Sequence, residues 1–159
     1  MKALIYCYKS GWLNNLIGLA LAKAPALPLT CPPLTADTFP YARLGEVDLI
    51  YIALHGTPGT PTLWGDEGIP ALTVAGVLAG PQLRPSCRVV LEGCYGARTP
   101  FPAAFYERGA QIVVASDYKT WDRRRGLGRA GRAGSAVVKK LLAGVTAPDE
   151  IAEDDFYIV

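Results

Sequence analysis

Hydrophobic residues in this chain gather into short runs separated by stretches rich in proline, glycine and threonine. Ala3 to Tyr8 (ALIYCY) is apolar throughout and predicts a buried strand. Val47 to Leu54 (VDLIYIAL) is apolar on both faces apart from Asp48, the pattern of a parallel strand covered on both sides. Arg88 to Leu91 (RVVL) and Gln111 to Ala115 (QIVVA) repeat that signature, and Phe156 to Val159 reads as a last short strand or a tail. Leu27 to Thr30 suits a short edge strand, where its proline is tolerated. Between these runs lie segments of helical length and composition. They are Trp12 to Lys23 after a Ser10-Gly11 break, Thr73 to Leu78, Pro102 to Arg108 with Gly109 as its stop, and Ser135 to Ala143 closed by Gly144. Thr57 to Pro70 reads as one long loop, and Thr35 to Leu44 fits no single template. Strands alternating with helices predict an α/β fold, a single doubly wound and mostly parallel sheet with helices on both faces, in one domain spanning residues 1–159.

Composition narrows the picture. The 159 residues are 50% hydrophobic and 19% charged, which excludes a disordered chain and suffices for one core. A net charge of +2 makes no case for nucleic acid. No apolar run reaches the roughly 18–20 residues of a membrane span. The chain opens on a strand-like segment without a signal-peptide layout, so a cytoplasmic location and no membrane partner are expected. The cysteines Cys7, Cys31, Cys87 and Cys94 form no C-x-x-C pair. With a single histidine they predict reduced thiols, no metal and no cofactor.

Candidate chemistry sits where strands end. Open parallel sheets build their sites beyond the carboxyl ends of their strands. Three strands here run into His55, Cys94 and Asp117. A thiolate is a nucleophile, and a nearby imidazole can generate it and later protonate a leaving amine. Gly56 and Gly93 flank the pair, and Gly96 follows Cys94. The N–H groups of Gly56 and Cys94 could form an oxyanion hole, while Gly93 and Gly96 would permit a sharp turn that lifts the thiol.

The motif Glu92-Gly93-Cys94-Tyr95-Gly96, with His55-Gly56 closing a strand 39 residues upstream, resembles the caspase-like (clan CD) cysteine peptidases. The stretch from about Asp48 to Asp122 is most similar to the CHAT branch of that family. The resemblance implies a caspase-like fold in which Cys94 is the nucleophile, His55 the general acid/base and Gly56 the oxyanion-hole glycine. It also implies that Glu92 lines the primary specificity pocket and that Asp117 lies near it. Two carboxylates there predict cleavage after arginine or lysine, unlike caspases proper, whose pocket takes aspartate. The expected partner is a peptide or protein substrate.

Other readings stand beside this one. The chain could be a catalytically silent caspase-like module serving protein–protein interaction or regulation, or a flavodoxin-like small-molecule binder using the same strand ends. Cys7 and Cys87 read as packing thiols. Gly126 to Gly131 (GLGRAG) fits G-x-G-x-x-G but follows no strand directly, so it is not read as a dinucleotide site. The basic run with Arg123, Arg124, Arg125, Arg129 and Arg132 reads as a solvated loop rather than a nucleic-acid contact, and as a candidate for self-cleavage.

Overall fold

The computed structural model describes residues 1–8, 26–31, 34–117, 127–153 and 156–159. The helix expected over Trp12 to Lys23 and most of the arginine run lie outside them. The main sheet has six strands: β1 (Ala3–Tyr8), β2 (Ala26–Cys31), β3 (Leu49–Ala53), β6 (Arg88–Leu91), β7 (Ile112–Ser116) and β8 (Phe156–Ile158). Their order is β2-β1-β3-β6-β7-β8. The first five are mutually parallel, and β8 closes the far edge antiparallel to β7. The order reverses between β1 and β3, so a crevice opens at their carboxyl ends.

Period-2 alternation divides these strands between two cores. On one face Leu4, Tyr6, Ile50, Ile52, Val89, Leu91 and Val113 meet helices α1 (Val74–Ala79) and α2 (Phe101–Glu107) through Val77, Phe101 and Phe105. On the other, Ile5, Leu49, Tyr51, Val90 and Val114 meet α3 (Leu127–Leu142) and α4 (Pro148–Ile151) through Val137, Val138, Leu141 and Ile151. Helices therefore cover both faces, as the unbroken apolar strands require. Arg88 donates from its guanidinium to the Leu141 carbonyl at the end of α3, meeting one of that helix's orphan acceptors. The α3 helix begins at Leu127, eight residues before the Ser135 start expected from the sequence. Gly128, Arg129, Gly131 and Arg132 therefore belong to a helix, where the sequence reading had a loop.

Thr57 to Pro70 is also more ordered than expected. It carries strand β4 (Thr62–Trp64), a 3₁₀ turn (Asp66–Gly68) and the start of β5 (Pro70–Thr73), which together form an antiparallel hairpin. The buried Tyr6 hydroxyl donates to the Ala71 carbonyl at 2.9 Å and pins the hairpin to the sheet. Thr73 then caps α1 by accepting the Gly76 N–H at 3.1 Å. Among the described residues, no helix is long and apolar enough to cross a membrane.

Candidate active site

His55 follows β3 and Cys94 follows β6, and these strands are neighbours in the sheet. The ladder continues toward the site through the Glu92 N–H, which donates to the Ile52 carbonyl at 2.8 Å. Beyond it the two chains turn against each other. A Cβ on Gly56 would overlap the Cys94 carbonyl oxygen, and one on Gly93 would lie 2.8 Å from the Leu54 carbonyl. Only a residue without a side chain permits this approach at either position. The Gly59 N–H donates to the Arg98 carbonyl at 2.8 Å, which ties the loop after the histidine to the loop after the cysteine.

Cys94 occupies the second position of a four-residue turn, Gly93 to Gly96, closed by the Gly96 N–H on the Gly93 carbonyl at 3.1 Å. The left-handed residue in that turn is Tyr95, at φ 56° and ψ 31°; Gly93 and Gly96 stay at negative φ. Close approach, rather than conformational freedom, is what Gly93 supplies. A non-glycine residue at positive φ is uncommon, and such residues cluster at functional sites. Cys94 is half-buried, whereas Cys87 is fully buried, with its thiol pKa pushed up to about 12 by burial.

His55 is held from several directions. Its backbone bridges Trp64, with the His55 N–H donating at 2.8 Å and the Trp64 N–H returning at 2.9 Å. Its ring stacks on Tyr8 at the end of β1, centroids 4.6 Å apart and planes 25° from parallel. Its Nε2 lies 3.7 Å from Asp66 Oδ1 in the hairpin turn, and the imidazole is 44% exposed. Both ring position and edge orientation are thus constrained while the ring stays open to a substrate. The Gly56 N–H makes no hydrogen bond to a described residue, and it adjoins the Gly93-Cys94 turn.

The two carboxylates expected around a specificity pocket are otherwise engaged. Glu92 is 4% exposed and points to the α3 face of the sheet, where its carboxyl lies against Gly134 and Tyr51. Burial raises its pKa well above 4.5. Asp117 receives both Arg98 Nε and Nη2, the latter at 3.2 Å. This bidentate hydrogen bonding, with further help from Tyr157, holds the Asp117 carboxyl below its usual range. Arg98 also stands 5.6 Å from the Tyr95 ring centroid, a cation–π distance.

A cleft of about 380 Å³ opens beside His55, lined by His55, Thr57, Trp64, Gly65, Glu67 and Gly68. Cys94 does not line it. Tyr8, Trp64, Asp66 and Glu67 carry no signal of their own in the sequence, because three of them lie on a hairpin whose segment, rich in proline, glycine and threonine, reads as a loop. A three-residue β-prone run, a Gly-Asp-Glu-Gly turn and a second such run were the available signal. Among the described residues no group of three or more histidine, cysteine or acidic side chains could hold a metal ion. No protein-family model matches this chain, and no curated protein sequence matches it significantly.

Proposed function

We propose that the chain is a cysteine peptidase of caspase-like type, with Cys94 as nucleophile and His55 as general acid/base. The observation that carries the reading is the convergence of the His55-Gly56 and Gly93-Cys94 turns at the carboxyl edge of two adjacent parallel strands. In the proposed course, Cys94 Sγ attacks a peptide carbonyl carbon and the oxyanion is received by the Gly56 and Cys94 N–H groups. His55 then protonates the departing amine, and water releases the acid from the thioester. Tyr8 and Asp66 fix the imidazole, and the Arg98–Asp117 pair anchors the loop that follows the nucleophile. A caspase-like fold is part of the proposal and is supported by the switch between β1 and β3 and by helices on both faces.

Cleavage after arginine or lysine remains part of the proposal, with Asp117 the carboxylate that a basic residue before the scissile bond would meet once it displaces Arg98. A second reading, a catalytically silent module that binds a regulatory partner, is favoured by one observation: the cleft beside His55 is not lined by Cys94. Iodoacetamide labelling at pH about 6, read by peptide mass mapping, separates the two. Selective, fast alkylation of Cys94 that falls with His55→Ala, together with hydrolysis of fluorogenic peptides lost in Cys94→Ser, supports the peptidase. Equal slow labelling of Cys94 in both backgrounds with no hydrolysis supports the silent module.

A further inference from the structure

The acidic side chains near the dyad differ in what they can still offer a ligand. Glu92 is sealed beneath α3, Asp117 is met by Arg98, and Asp66 faces the imidazole. Glu67 is exposed, lines the cleft, and forms no ion pair with another described residue. Its backbone is left-handed, at φ 61°, and Gly68 continues the turn at φ 72°. The cleft therefore combines a carboxylate, the aromatic Trp64 and walls of small residues, Gly65 and Gly68, in a volume at the lower end of ligand pockets. A slender stem ending in a cation satisfies both the indole face and the carboxylate. An anionic group would meet the Glu67 carboxylate, with no lysine or arginine among the lining residues.

The cleft also has a side. His55 forms its wall and Cys94 does not; on the peptidase reading, the imidazole that protonates the departing amine marks the leaving-group side. We infer that the cleft between His55, Trp64 and Glu67 binds a lysine or arginine side chain of the substrate on the leaving-group side of the scissile bond. The binding site stands on its own geometry; its place in a substrate rests on the peptidase reading.

Calorimetric titration of the Cys94→Ser chain with Nα-acetyl-arginine amide, against the neutral isostere Nα-acetyl-citrulline amide, tests the site without catalysis. The arginine amide is expected to bind at millimolar concentration and the citrulline amide about fivefold more weakly or less. Glu67→Gln in the same background should level the two, and Glu107→Gln, at an exposed carboxylate outside the cleft, should leave the preference intact. Equal affinity for the two amides, no binding of either, or a preference kept with Glu67→Gln overturns the inference. Glu67 is exposed, so the variant should fold, and circular dichroism checks that it does. With internally quenched peptides, Glu67→Gln should raise KM for substrates with lysine after the cut and leave kcat near the parent value. Arginine binding without any hydrolysis by the parent chain keeps the cleft and removes the peptidase. Hydrolysis indifferent to a basic residue after the cut, with no arginine binding, does the reverse.

Discussion

Replacing Glu92 by glutamine should flatten the pH dependence of stability on the alkaline side. The Glu92 side chain lies under α3, against Gly134 and the Tyr51 hydroxyl, and its Oε2 has no hydrogen-bond partner among the described residues. Burial raises its folded-state pKa well above the 4.5 of an unfolded chain. The folded protein therefore keeps a proton that the unfolded chain has already released. The stabilisation is complete below pH 4.5 and is lost as pH climbs toward the folded pKa, beyond which the curve levels. Within that window each pH unit costs about 1.4 kcal/mol. Against a typical domain stability of about 5–15 kcal/mol, two units are a large loss. The carboxamide in Glu92→Gln brings extra N–H donors into the same space, a pH-independent cost of about 1–3 kcal/mol. The variant is thus less stable at about pH 5 and gains on the parent toward about pH 8. Urea unfolding at intervals across that range measures the difference. Parallel stability curves for parent and Glu92→Gln would refute the buried, protonated carboxyl.

The same pocket predicts that Gly134→Ala destabilises, although the change in an open helix interior would add about 1 kcal/mol. The new Cβ would overlap Glu92 Oε2 and lie 2.9 Å from the Tyr51 hydroxyl. Overpacking of about 1–3 kcal/mol should lower the melting temperature by several degrees in calorimetry. Asp48 accepts the Lys2 N–H at 2.7 Å and Arg84 Nη1 at 3.1 Å, and these bonds, the first above all, lower its pKa. Its contribution is present above pH 3.8 and fades as pH falls further, so Asp48→Asn should cost about 1–2 kcal/mol at neutral pH and soften acid unfolding followed by circular dichroism. Gly56→Ala should separate the two strand-end turns and slow Cys94 alkylation by about tenfold or more; unchanged labelling in a folded variant would show that the turns need not touch. Asp66→Asn should slow Cys94 alkylation by loosening the hold on the imidazole, with little change in melting temperature, and Asp66→Glu should restore it.

What the sequence revealed and what it hid divide along a physical line. β1, β3, β6 and β7 were legible because each is buried on both faces and therefore apolar at all but an end position, Arg88 in β6 and Ser116 in β7. Their carboxyl ends followed from topology alone, and so did the neighbourhood of His55 and Cys94. The hairpin was hidden because β4 and β5 are three and four residues long, and proline, threonine and glycine dominate the segment. Strands that short are held by pairing with each other, by the His55–Trp64 bridge and by the Tyr6 hydroxyl, none of which leaves a periodic trace.

The charges show the same limit more sharply. Glu92 stands two positions after Val90, so period-2 alternation already aims it at the α3 face. Asp117 was visible at the end of β7, but its partner Arg98 lies on a different strand-end loop, 19 residues away. Which carboxylate still faces solvent with an unspent charge is set by contacts between distant segments. By that criterion Glu67, on a turn the sequence presented as featureless loop, is the acidic side chain beside His55 best able to meet a cation.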